Sequence, residues 1–153
     1  MKRLLGSRWL SRIVRIALGA VFVYSAWPKI VDPPAFAQMI WNYRILPGWA
    51  VNPVALALPW LELLCGVALI AGCLRRGAAL ITGTMLVVFM GAISADLARG
   101  IAIDCGCFSV AAGNRTADEL FRGMKLDLLR DAGLLLLALQ ALFSRTQADS
   151  PQL

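Results

Sequence analysis

Histidine is missing from all 153 residues. Its absence removes the side chain that most often serves as general base, haem ligand or metal ligand near neutral pH. Charge is scarce too: Asp, Glu, Lys and Arg make up 16% of the chain, against roughly a quarter in a typical soluble domain. Hydrophobic residues supply 59%, and the mean hydropathy is +0.72. A globule this small cannot bury so large an apolar share, and lipid is the solvent that accommodates it. The net charge of +6 does not point to nucleic acid. The basic residues flank apolar runs instead of forming an aromatic-laced surface patch, so membrane topology and anionic headgroups account for them. What chemistry the chain carries must rest on cysteines, carboxylates, Lys and Arg, or a bound cofactor.

A membrane-spanning helix needs about 20 apolar residues at about 1.5 Å of rise each. That ruler predicts four spans: Ile13–Ile30, Val51–Gly72, Gly77–Leu97 and Leu126–Phe143. The first reads as a span and not a cleaved signal peptide, because Trp27 and Pro28 sit badly around the small pair Ser25-Ala26. The fourth is the least apolar. Thr116 followed by Glu119 has the spacing of a capping box, so an interfacial turn or two is expected to run into it. The link Pro28–Ala50 is proline-rich and aromatic, which predicts an interfacial connection without continued helix. Only Cys73–Arg76 joins the second and third runs, and that shortness forces an antiparallel hairpin. The expected architecture is one all-α domain, residues 1–146, a bundle of four transmembrane helices, with a polar tail at 147–153.

Basic residues orient such a bundle by their density near helix ends. Lys2, Arg3, Arg8, Arg12 and Arg15 crowd the N-terminal end, and Arg75-Arg76 lie in the tight turn on the same side. Both termini are therefore expected in the cytoplasm of a cell whose inner membrane holds the chain. The link after the third span then lies on the periplasmic or extracellular side, an oxidising compartment in bacteria.

That link carries Ile-Asp-Cys-Gly-Cys-Phe-Ser, residues 103–109. A disulfide wants Cα atoms about 4.4–6.8 Å apart, and residues two apart in an extended strand sit about 6.6 Å apart. Gly106 can bend and bring Cys105 and Cys107 closer. A bridge across so small a loop is strained, and strained, exposed disulfides exchange readily. It would also restrain the unfolded chain little, which argues against a purely structural bridge. A zinc site lacks two ligands. Arg99 and Arg115 favour a thiolate here, and Asp104 opposes it. Cys65 lies on the helix face of Glu62 and reads as a small buried hydrophobe, while Cys73 falls at the opposite end of the bundle from the dithiol.

Charged groups inside a span default to function or to interhelical pairing. Glu62 is the deepest, and Lys29 is nearer to it in depth than Arg15. Lys29, Asp96, Arg99, Asp104, Arg130 and Asp131 all fall at outer helix ends and are expected to form either a polar collar or a solvated rim. Trp27 and Trp60 are candidates for a quinone pocket, against the ordinary tryptophan belt of a membrane interface.

Several pieces in order resemble the DoxX-like superfamily and, more closely, its methylamine-utilisation MauE branch of redox-associated membrane proteins. They are Arg15 and Gly19 leading to Tyr24-Ser-Ala-Trp-Pro-Lys29, then Tyr43-Arg-Ile-Leu-Pro47, then Leu58-Pro-Trp-Leu-Glu62 with Gly66, then Asp104-Cys-Gly-Cys-Phe108, and Arg130-Asp131. Ser109 stands where that family often has glycine. The resemblance implies a four-helix membrane protein needed for processing or disulfide formation of a periplasmic subunit of methylamine dehydrogenase. Three functions stay open. One is a thiol–disulfide component acting through Cys105 and Cys107 on an exported client or a thioredoxin-like carrier, with a quinone as the candidate electron partner. The second is a non-catalytic assembly factor whose bridge only shapes a docking loop. The third is a quinone-linked oxidoreductase subunit for small sulfur compounds.

Overall fold

The computed structural model describes residues 8–73, 75–101 and 116–143. Five helices follow in order: α1 (Arg8–Val31), α2 (Pro33–Asn42), α3 (Gly48–Ala71), α4 (Arg75–Ala98) and α5 (Ala117–Phe143). Segments of α1 (Ser11–Val31), α3 (Gly48–Ala71) and α4 (Arg76–Ala98) are long and apolar enough to cross a membrane. Only a third of each such segment is buried within the protein. Outward-facing Leu64, Val88 and Leu136 leave broad apolar faces that water would not tolerate and hydrocarbon would. These are the features of a multi-pass membrane protein. Helix α5 carries Asp118, Glu119, Arg122, Lys125, Asp127, Arg130 and Asp131 in its first half, which keeps it out of that apolar class.

The link between the first two spans differs from expectation. Pro28 does not stop α1, which runs on to Val31, because a proline one turn from a helix end forfeits only one backbone bond. Asp32-Pro33-Pro34 then starts α2. The Asp32 carboxylate accepts the Ala35 N–H at 3.1 Å, and the prolines occupy the first helical positions, where no intrahelical N–H is needed. Helix α2 buries Phe36, Met39 and Ile40 against Val51 and Ala55 of α3. Arg44 leaves it in the left-handed region at φ 50°.

Other ends accord with their residues. Gly72, at φ 78°, caps α3 and donates to the Ala68 carbonyl, and α4 begins at Arg75, giving the expected hairpin. Gly100, at φ 69°, ends α4 with paired bonds from Gly100 to Leu97 and from Ile101 to Asp96, the Schellman arrangement. The capping box on α5 forms: Thr116 N–H donates to Glu119 at 2.9 Å, and Glu119 N–H to the Thr116 hydroxyl at 3.4 Å. From there α5 is a single unbroken helix to Phe143.

The tightest helix crossing is between α1 and α3. A Cβ on Gly19 would lie 2.6 Å from the Gly66 carbonyl oxygen, and one on Gly66 would lie 2.8 Å from that of Gly19. Only glycine permits so close a backbone approach. Below it, Leu18, Phe22, Leu69, Leu86 and Ala138 form the main apolar core, drawn from four helices. At the other end of α4, Ile93 and Met124 pack with Leu97 and Phe121, which holds the end of α4 to the start of α5.

Candidate functional site: a buried interhelical ion pair

The glycine crossing sets the distance between the two sides of the site. Glu62 lies one turn before Gly66 on α3, and Lys29 projects from the last turn of α1. The Lys29 Nζ sits 2.7 Å from both Glu62 carboxylate oxygens, with each residue 2% exposed. Its remaining hydrogen-bonding capacity goes to the Ser25 hydroxyl, one turn back, at 3.2 Å. An ammonium has three protons, and all three have acceptors here. The rings of Phe36 and Phe89 stand 5.2 and 5.4 Å from Nζ, within cation–π range. Lys29 is thus held by α1, α2, α3 and α4 together.

Helix α5 completes the cluster. Arg130 donates to Asp131 at 2.9 and 3.1 Å and pairs with Asp127 at 2.7 Å. Asp131 is buried. Ser25, Lys29, Glu62, Arg130 and Asp131, with apolar neighbours such as Phe22 and Phe89, line a small gap of about 30 Å³, the size of one water molecule. Of the predicted collar, then, Lys29, Arg130 and Asp131 come together around Glu62. They form an interior cluster instead of a solvated rim. Asp96 and Arg99 make a separate pair at 3.3 Å at the end of α4. Among the described residues the second Asp96 oxygen, buried, has no partner. Arg15 is not Glu62's partner. Its guanidinium lies by Gly72, at the other end of α3.

The dithiol expectation, Asp104, Cys105, Gly106, Cys107 and Phe108, lies outside the described residues. Its flanks are described, and Ile101 and Phe121 meet in one apolar cluster. Cys65 is buried and free, as expected of a small hydrophobe, and Cys73 is free and exposed at the hairpin turn. The described residues contain no group of three His, Cys, Asp or Glu side chains suited to a metal.

Trp27 and Trp60 stand on outer faces, 69% and 55% exposed, and line neither that small gap nor the larger cavity found between α2, α3 and α4. That cavity, of about 300 Å³, is apolar and is lined by Phe36, Tyr43, Leu58, Met85, Phe89 and Ala92 among others. Ser25, Phe36 and Phe89 escaped the sequence reading of the site. Ser25 could have been found from its position four residues before Lys29 on one helix face. The two phenylalanines carry no local signal.

Buried charges joined across helices and wide apolar exteriors define a helical, multi-pass membrane protein organised around an interior ion pair. More narrowly, the chain belongs to the MauE family, the methylamine utilisation protein MauE, which matches residues 7–144. It is 34% identical over 108 residues to the methylamine utilization protein MauE of Methylophilus methylotrophus, covering 70% of this chain and 57% of that protein. To the protein of the same name from Methylorubrum extorquens it is 36% identical over 106 residues, 69% of this chain and 57% of the relative. The counterpart in Paracoccus denitrificans is 38% identical over 96 residues, 62% and 52% respectively. The chain thus spans little more than half the length of these relatives. No solved structure matches it.

Proposed function

We propose that the chain is a membrane component of thiol–disulfide exchange that supports disulfide formation or maturation of an exported client, in the methylamine-utilisation setting its relatives' names carry. The observation that supports this best is the Cys105-Gly106-Cys107 dithiol, which comes after the end of an apolar, membrane-length α4. In the proposed topology both termini are cytoplasmic, the Leu126–Phe143 part of α5 makes a fourth crossing, and the dithiol faces the oxidising side. The DoxX-like relationship belongs to the same proposal.

The chemistry balances as a two-electron exchange. A client thiolate attacks the Cys105–Cys107 disulfide and forms a mixed disulfide; the second client thiolate then displaces the bound cysteine. The client gains a disulfide, and Cys105 and Cys107 are left as thiols holding two electrons and two protons. Reoxidation passes these to a two-electron acceptor, and a lipid-soluble quinone is the class the bilayer supplies. Gly106 is the hinge, and Asp104 and Phe108 flank the reacting sulfurs. Lys29, Glu62, Arg130 and Asp131 are positioning residues that hold α1, α3 and α5 together.

Replacing Cys105 or Cys107 with serine is expected to abolish oxidation of the client in cells, read as loss of its disulfides by thiol alkylation. Cys65→Ser should leave it intact. Normal client disulfides in a Cys105→Ser, Cys107→Ser strain would turn the reading towards an assembly factor without redox chemistry.

A further inference from the structure

The apolar cavity between α2, α3 and α4 has a direction. It reaches from Tyr43, Ile45 and Leu46 near the outer helix ends down to Leu58 and Thr84. Along α4 the lining residues Thr84 and Ala92 are two turns apart, about 12 Å on the axis. Its volume of about 300 Å³ equals the liquid volume of roughly ten water molecules at about 30 Å³ each, room for a stretch of one acyl chain. Its inner wall offers hydrocarbon and almost nothing else. Among the described residues Thr84 and Tyr43 bring the only lining hydroxyls, and that of Thr84 is already donated to the Leu80 carbonyl.

Its mouth is different. Arg44, exposed, lies between the lining residues Tyr43 and Ile45. The Arg99 guanidinium, about half exposed, reaches the Tyr43 carbonyl at 3.5 Å and offsets the buried Asp96 carboxylate. Arg44, in the chain between two lining residues, and the half-exposed Arg99 thus bring guanidinium charge close to one end of an apolar shaft. A guanidinium at the interface over a hydrocarbon slot matches a lipid with a phosphate at one end and an acyl chain at the other.

We propose that this cavity binds one anionic phospholipid, its acyl chain lying along α4 from Ala92 to Thr84 and its phosphate at Arg44 and Arg99. A quinone fits less well. Its two carbonyl oxygens would need donors, and the described lining residues carry hydroxyls only at Tyr43 and at Thr84, the latter already committed to the Leu80 carbonyl. The bound chain would fill the gap between α2 and the α3–α4 hairpin. It would then back Phe36 and Phe89, the two rings that also close over Lys29.

The test is native mass spectrometry of the purified full chain in detergent, after exchange with phosphatidylglycerol or phosphatidylcholine of the same acyl composition. Phosphatidylglycerol should be retained in preference. Arg44→Gln should cut that preference about fivefold, the contribution of one arginine close to an anionic headgroup. Ala92→Trp, which fills the shaft, should abolish retention of both lipids, with Val88→Phe read in its place if the first variant does not fold. Equal retention of the two lipids, a preference indifferent to Arg44→Gln, retention indifferent to shaft filling, or recovery of a quinone in place of phospholipid would each overturn the proposal. Because the readout needs neither client nor cysteines, it can be repeated on the Cys105→Ser, Cys107→Ser protein. Its failure is therefore separable from failure of the redox reading.

Discussion

Lys29 is the residue on which the interior depends. A buried charge pair is not in itself a large source of stability, because desolvation offsets most of the attraction. Removing one partner is another matter, since it strands the other in a place water does not reach. Lys29→Met leaves Glu62 without its counter-charge, and Glu62→Leu leaves the ammonium with Ser25, the two rings and the more distant Asp131. Each single change should cost about 3–5 kcal/mol, while the double change to Met and Leu should recover most of that. Thermal unfolding of the three purified variants in one detergent reads the cycle directly. A double variant as unstable as either single one would mean that Arg130 and Asp131 are bound into the same unit. A double variant that is stable yet fails to mature the client would show that the charges serve more than packing.

At the scale of the helix, the α1–α3 crossing is the feature that brings Lys29 to Glu62. Gly66→Val places new carbon against the Gly19 carbonyl and the Val23 backbone, at 2.8 and 3.1 Å from the first added atom. Backbone cannot yield as a side chain can, so the helices must part. The expected loss is about 1–3 kcal/mol from overpacking, accompanied by a weakened ion pair. Gly91→Ala on α4 is the control: nothing lies within 4 Å of its added carbon, and alanine in place of a mid-helix glycine should stabilise by about 0.5–1 kcal/mol. Equal melting temperatures for the two variants would remove the crossing from the account. How much of this could be read beforehand differs by element. The three apolar spans were legible from run length, the start of α5 from Thr116 and Glu119, and the α3–α4 hairpin from a four-residue link. Helix α2 was not, because Asp32-Pro33-Pro34 is punctuation with two senses: the same prolines that end one helix also suit the first positions of another. The Lys29–Glu62 contact was legible from depth along the two spans. The aromatic lid was not, since Phe36 reaches Lys29 only because α2 exists. Nor was the outward stance of Trp27 and Trp60, since helix rotation is decided by packing partners that the local sequence does not name.

For the whole molecule the quantity to measure is orientation, and the cysteines before and after α4 in the sequence report it. Helices α3 and α4 have 24 residues each, about 36 Å of helix, enough to cross a hydrocarbon core of about 30 Å. Cys73, free and exposed, sits in the turn where α4 begins. The segment with Cys105 and Cys107 begins after α4 ends. The two must therefore face opposite compartments if α4 spans the bilayer. The proposed topology puts that turn in the cytoplasm, on the density of basic residues at Arg75-Arg76 beside Cys73 and in the N-terminal sequence. A membrane-impermeant maleimide applied to intact cells should then modify Cys105 and Cys107 only after a mild reductant, as expected of an exposed disulfide in an oxidising compartment. Cys73 should react only once the membrane is permeabilised, and buried Cys65 only after denaturation. Single-cysteine variants assign each signal to its residue. If Cys73 is the one labelled from outside, the bundle is inverted and the dithiol sits where thiols are kept reduced. Exchange with an exported client would then have no route.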